Sequence, residues 1–86
     1  MRAGWLILPL QIRAARALLG ISQDELARIS GVGLATVKRA ELGSSTPRGN
    51  VQTIVRLREA LESAGVVFID HDDQLGPGVR LKSRID

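Results

Sequence analysis

The sequence contains no cysteine and no tyrosine, and only 2% of its 86 residues are aromatic. Without cysteine there is no disulfide framework, no thiolate metal site and no cysteine nucleophile, which suits a reducing cytoplasm. With so few aromatic side chains, the core must consist of leucine, isoleucine, valine and alanine. We therefore expect a cytoplasmic protein with one aliphatic core, since this length makes a single small domain.

Long apolar runs are also missing. The run Trp5–Leu8 is too short for the apolar region of a signal peptide, and Pro9 interrupts it. No window approaches the roughly 18 apolar residues that a membrane span requires. We therefore expect no membrane partner. We interpret residues 1–8 as an apolar extension that packs against the domain, with an extra strand or a dimer contact as the alternative.

Few residues suggest catalysis or metal binding. His71 is the only histidine, and no nucleophile motif accompanies it. The segment Asp70–Asp73 does not match a calcium loop, because Leu81 occupies the twelfth position, where a glutamate is required. The sequence thus predicts a non-enzyme with no metal and no cofactor.

Charge is distributed unevenly along the chain. Residues 1–58 carry nine Arg or Lys and three Asp or Glu, a net charge of +6, whereas residues 59–86 carry three and six, a net charge of −3. A basic first part predicts an anionic partner for that part alone.

Apolar spacing and capping residues predict four helices, over residues 9–19, 23–30, 34–42 and 51–64. Ser22 and Glu25 form a capping box at the start of the second helix, and Gly31 allows a sharp turn after it. The predicted inward residues are Leu10, Ala14 and either Ala17 or Leu18 with Ile12, Ala15 and Leu19, then Leu26 and Ile29, Val37 and Ala40, and Val51, Ile54, Leu57, Leu61 and Ala64.

The pattern changes after residue 65. Val66–Ile69 is β-branched and aromatic, Gly78–Lys82 alternates apolar and basic residues, and a polar loop separates them. This predicts an antiparallel hairpin over residues 66–86, after a helical domain over residues 9–65. Because an isolated hairpin is marginal in water, its strands Val66–Ile69 and Val79–Leu81 are candidate dimer contacts.

The second and third helices, joined by a glycine turn, have the pattern of a helix-turn-helix. The third helix presents small outward residues, Gly33 and Ala35, beside two cations, Lys38 and Arg39. Small residues allow a helix to enter the roughly 12 Å major groove, and an arginine can pair with guanine. The start of the second helix and the loop after the third offer donors to phosphate.

Residues 12–61 resemble the phage-repressor/Cro-type (XRE) helix-turn-helix family. The residues that match its pattern are Arg16, Leu19, Gly20, Ser22–Ala27, Gly31, Val32, Thr36, Val37, Glu41, Gly43, Ile54, Leu57 and Leu61. The resemblance implies a lambda-repressor-like bundle of four or five helices that binds specific double-stranded DNA, usually as a two-fold dimer. It also implies an ion pair between Arg16 and Glu41, which ties the first helix to the end of the third.

The predicted DNA-binding residues are Gln23, Gly33, Leu34, Ala35, Thr36, Lys38, Arg39, Ser44 and Arg48. Three positions depart from the family pattern, namely Gly33, Ala40 and Leu42, and the last two suggest repacking against Trp5 or the hairpin. The favoured function is a repressor-like transcriptional regulator acting as a homodimer. The alternative is an antitoxin or adaptor that holds a protein partner through its C-terminal strands.

Overall fold

A computed structural model, which describes residues 6–85, shows four helices followed by a two-stranded hairpin. The elements are α1 (Pro9–Leu19), α2 (Gln23–Ser30), α3 (Leu34–Ala40), α4 (Val51–Ser63), β1 (Val66–Ile69) and β2 (Gly78–Leu81). The predicted mainly helical bundle with a C-terminal hairpin is therefore confirmed. Trp5 lies outside the described residues. No helix within residues 6–85 is long and apolar enough to cross a bilayer.

Short polar side chains fix where α2 and α4 begin. The Ser22 hydroxyl accepts a hydrogen bond from the Glu25 backbone N–H at 3.0 Å, and the Asn50 side chain accepts one from Thr53 at 2.8 Å. Gly31 ends α2 with φ of 72°, a left-handed conformation that costs glycine little. Ser22 and Gly31 thus set the length of α2, and Gly31 sets the direction in which the chain enters α3.

The beginning of α1 depends on a residue that the sequence did not single out. Leu8 has no side chain that can cap a helix, but its backbone N–H donates to Oε1 of Gln11 at 2.9 Å. Gln11 is only 2% exposed. Its buried amide thus acts as the third-position partner of a capping box and satisfies the backbone N–H of the N-cap residue, Leu8.

The core lies where the four helices meet the inner face of the hairpin. Its largest members are at most 3% exposed, and they are Ile7, Ile12, Leu26, Val37, Ile54, Leu57, Leu61 and Val66. The presence of Ile7 shows that residues just before α1 belong to this core. The burial of Val66 shows that the hairpin shares it.

Several predictions of inward residues were wrong. Ile29 is 38% exposed, because it lies in the last turn of α2 beside an open groove against α4. Leu18 is 44% exposed in the last turn of α1, and the alternative, Ala17, is exposed as well. Val51 is 57% exposed in the first turn of α4, ahead of the first buried position, Ile54.

The third helix is shorter than predicted. It ends at Ala40 rather than at Leu42, and Leu42 is 56% exposed. The expected repacking of Leu42 against the hairpin is therefore absent from the described residues.

The hairpin is antiparallel, with Val66 opposite Leu81, Val67 opposite Arg80 and Phe68 opposite Val79. Because side chains alternate along a strand, Val66 and Phe68 face the helices while Val67 and Ile69 face outward. The Arg58 guanidinium lies 5.4 Å from the centre of the Phe68 ring. The Gln11 side-chain N–H groups donate to the carbonyls of Ile69 at 3.2 Å and Gly78 at 3.1 Å, which fastens the hairpin to α1.

Candidate nucleic-acid interface

Helix α3 has one buried side and one exposed side. Val37 and Ala40 are 0% and 1% exposed and pack into the core. Ala35, Lys38 and Arg39 are exposed and fall within an arc of about 100° around the helix, at 3.6 residues per turn. The helix therefore presents a narrow strip of one small and two cationic side chains to solvent.

The remaining predicted residues lie around this strip. Leu34 and Thr36 are half-buried on its two flanks, and the exposed Gly33 is the N-cap of α3. A Cβ at Gly33 would meet no atom within 4 Å, so the absence of a side chain leaves space in front of the helix. The Thr36 hydroxyl accepts a long hydrogen bond of 3.5 Å from the Arg39 guanidinium.

An ion pair joins α1 to the residue that follows α3. Arg16 donates from Nε to Oε2 of Glu41 at 2.6 Å and from Nη2 to Oε1 at 2.8 Å. The hydrogen bond to Glu41 raises the pKa of Arg16, burial opposes that rise, and the charge of Glu41 adds to it. The Glu41 side chain is only 4% exposed, so this two-point contact fixes the direction of α3 relative to α1.

Gln23 joins the same network. Its side-chain amide donates to Oε1 of Glu41 at 3.1 Å, and the residue is half-buried at the first position of α2. An amide nitrogen carries two protons, and no second hydrogen bond from this nitrogen is present within residues 6–85. Glu41 thus holds the Gln23 amide at the start of a helix while one N–H can still reach an incoming acceptor.

Arg13 has a role that the sequence interpretation missed. Its guanidinium Nη1 donates to the backbone carbonyls of Glu41 and Gly43, the latter at 2.7 Å. Carbonyls at the end of a helix lack partners within the helix, so this arginine completes the end of α3. Its spacing of three residues from Arg16, on one side of α1, was the available signal.

The loop after α3 contacts the first half of α1. Ser44 is exposed, and its backbone carbonyl accepts a hydrogen bond from Leu10 at 3.3 Å. Arg48 is exposed and folds over Gly43, where a Cβ would lie 3.6 Å from its Nε. Two predicted phosphate-binding residues therefore lie exposed in the loop between α3 and α4.

A second cation missed from the sequence lies near the start of α3. Arg56 lines a shallow polar pocket of about 190 Å³ together with Gly33, Thr36 and Asn50. The pocket lies between the beginnings of α3 and α4. Exposed cations are thus present near both ends of α3, Arg56 at its start and Arg48 after its end.

Comparison with known proteins identifies this arrangement. A family model described as "Helix-turn-helix" matches residues 12–63, which include all four helices except the first turn of α1. No curated protein and no solved structure matches the chain significantly. The match covers more than half of the chain and includes α2, the glycine turn and α3. The chain belongs to the XRE-type helix-turn-helix family, a family of DNA-binding regulators.

Proposed function

We propose that the protein is a repressor-like transcriptional regulator that binds specific duplex DNA with α3 in the major groove. The exposed strip of α3 carries this proposal. Ala35 and the bare N-cap at Gly33 allow the helix to approach the bases closely, while Lys38 and Arg39 supply cations of the required reach. The opposite side of α3 is buried, so the helix is presented as part of a rigid body.

Different residues serve specificity and affinity in this proposal. Arg39 pairs with a guanine edge, and Leu34 and Ala35 contact thymine methyl groups. Lys38 contacts a base or a flanking phosphate, and Thr36 supports Arg39 through its hydroxyl. Gln23, Ser44 and Arg48 contact phosphates, which position the protein without distinguishing sequences.

We further propose that two copies bind a partly palindromic site. Helix-turn-helix dimers contact half-sites about 34 Å apart, so a two-fold axis in the protein matches one in the DNA. The hairpin strands Val66–Ile69 and Val79–Leu81 are the proposed contact. An antitoxin or adaptor function stays an alternative prediction. It would be favoured if a small protein co-purified with this chain and if the chain alone did not bind DNA.

The first experiment is selection of bound duplexes from a random library, followed by titration of the selected site by fluorescence anisotropy at several salt concentrations. The comparison uses the selected site and a second site in which its guanine is replaced. Arg39→Ala should reduce the difference in binding free energy between these two sites by about 1–3 kcal/mol. Arg48→Ala should weaken binding to both sites equally and lower the salt slope by about one.

The two variants control each other, because both remove one exposed arginine and so change the net charge equally. Equal loss of discrimination by both variants would contradict the proposed division of roles. Binding that is absent, or that does not respond to salt, would contradict duplex DNA as the ligand.

A further inference from the structure

Two arginine side chains lie against one residue of the loop after α3, Gly43. Nη1 of Arg13, on α1, donates to the Gly43 carbonyl at 2.7 Å. Nε and Nη2 of Arg48 lie 3.6 Å and 3.9 Å from the position that a Cβ of Gly43 would occupy. Two guanidinium groups from distant parts of the chain are therefore held around a single loop residue.

Neither arginine has an acidic partner. No ion pair within residues 6–85 includes Arg13 or Arg48, and both residues are exposed. The Glu41 carboxylate, which lies in the same segment, is already paired with Arg16. Two cations without a counter-charge raise the local positive potential, which favours an anion at this place.

Each guanidinium also retains donors for such an anion. An arginine side chain carries five N–H donors. Arg13 uses Nη1 for the carbonyls of Glu41 and Gly43, and no hydrogen bond within residues 6–85 engages its Nε or Nη2. In the same part of the chain, no hydrogen bond engages the guanidinium of Arg48. Arg13 is thus fixed through one nitrogen while its other two nitrogens can bind a ligand.

The segment Glu41–Gly43 connects Arg13 with two proposed phosphate contacts. Gln23 donates to the Glu41 carboxylate, Arg13 donates to the Glu41 carbonyl, and Arg48 folds over Gly43. Phosphates recur about every 3.4 Å of helix axis along one DNA strand. A guanidinium held beside a phosphate-binding residue is therefore within reach of the next phosphate.

We propose that Arg13 is a further DNA-binding residue, and that it contacts the phosphate next to the one bound by Arg48 on the same strand. The inference rests on the proposed function and adds a residue of α1 to its interface. The ligand is a phosphodiester of the DNA backbone, because a guanidinium pairs with phosphate through two parallel N–H groups. Such a contact carries no sequence information, so it contributes to affinity alone.

The salt dependence of binding to the selected site tests this contact, because each neutralised phosphate contributes about 0.9 to the slope. Arg13→Gln removes the charge and keeps an amide donor, whereas Arg13→Lys keeps the charge. We expect the glutamine variant to lower the slope by about one, and the lysine variant to retain the wild-type slope. Arg80→Gln is the matched control, since it removes an exposed arginine from β2 and should leave the slope unchanged.

A double variant separates a direct contact from a structural role. In the Arg48→Ala protein, Arg13→Gln should lower the slope by about one more. No further decrease would overturn the proposal, because Arg13 would then act only by holding the loop that carries Arg48. A wild-type slope in Arg13→Gln, or a lowered slope in Arg13→Lys, would also overturn it.

Two further measurements keep the result unambiguous. Arg13→Met, which retains a long unbranched side chain without charge, should behave as Arg13→Gln does, and circular dichroism identifies any variant that does not fold. The inference alone fails if the wild type binds the selected duplex with the expected salt dependence while the Arg13 variants keep its slope. Absence of duplex binding by the wild type would overturn the proposed function together with this contact.

Discussion

Helix α1 is fastened to two regions of the molecule by opposite kinds of chemistry. Near its start, the neutral Gln11 is 2% exposed and makes three hydrogen bonds, one to Leu8 and two to the hairpin. Farther along, Arg13 and Arg16 bind the end of α3 through two carbonyls and the Glu41 carboxylate. The hairpin is thus held by a buried amide, and α3 by partly solvated charges.

Because of this difference, we expect the loss of each contact to affect the protein differently. The Gln11 amide uses its acceptor and both protons of Nε2, so its loss removes a partner from the buried Leu8 N–H and from two partly buried hairpin carbonyls. The Arg16 side chain is 21% exposed, so water and ions can replace part of a lost contact. We therefore expect the hairpin contact to matter more for stability, and the charged contact to matter more for the placement of α3.

The largest effect is expected for Gln11→Ala. The variant leaves the Leu8 N–H and the carbonyls of Ile69 and Gly78 without this partner, and each buried unsatisfied group costs about 1–3 kcal/mol. We expect the free energy of unfolding in urea to fall by about 3 kcal/mol. This is the low end of the summed range, because solvent reaches some of these groups. Gln52→Ala is the matched control, since Gln52 is an exposed helical glutamine. Equal effects of the two substitutions would show that the amide does not hold the hairpin.

A smaller effect is expected for Glu41→Ala. The substitution leaves Arg16 and Gln23 without their shared acceptor, and the partial exposure of Arg16 limits the cost to about 2 kcal/mol. Raising the salt concentration to 1 M should reduce this cost but not that of Gln11→Ala, because salt screens charges.

The matched control for Glu41→Ala is Glu62→Ala. It removes a more exposed ion pair with Arg58 and should cost about 0.5 kcal/mol. If Glu41→Ala were as mild as this control, the ion pair would not be what holds α3 to α1.

Local signals predicted the elements that position the candidate interface. The caps at Ser22 and Asn50 depend on neighbours within three residues, and both cap hydrogen bonds are present in the structure. The predicted capping box is only half formed, because no hydrogen bond within residues 6–85 joins the Ser22 N–H to the Glu25 side chain. The change of apolar spacing after residue 65 correctly predicted the hairpin. Such signals suffice because each depends on a short stretch of backbone.

The two sets of contacts that α1 makes, with the hairpin and with the end of α3, differ in how far the sequence could predict them. The family resemblance pointed to Arg16 and Glu41, whereas Gln11 looked like an ordinary polar residue between Leu10 and Ile12. Its acceptors lie 58 and 67 residues away and are backbone carbonyls, which no side-chain pattern reveals. The error at Ile29 has a similar cause, because helical spacing does not show where a neighbouring helix stops covering the surface.

The smallest effect tests the far end of the hairpin, where the loop is ordered by Asp72 rather than by Gln11. The Asp72 carboxylate accepts hydrogen bonds from the backbone N–H groups of Gln74 at 2.8 Å and Leu75 at 2.7 Å, and these bonds lower its pKa. A lowered pKa in the folded state contributes stability above the unfolded-state pKa, about 3.9, and that stability is lost as the pH falls through the folded-state pKa.

Asp72→Asn keeps an acceptor but removes the charge. The variant should therefore be slightly less stable than the wild type at neutral pH, and the difference should vanish in acid. Asp73→Asn, at an exposed neighbouring carboxylate, should show no such convergence. Urea unfolding of the three proteins between neutral pH and about pH 2.5 measures the difference. A difference that persists unchanged at the lowest pH would mean that Asp72 orders the loop through its shape and not through its charge. Gln11 and Asp72 would then both stabilise the hairpin through hydrogen bonds to which charge contributes nothing. Only the contact between α1 and the end of α3 would depend on charge.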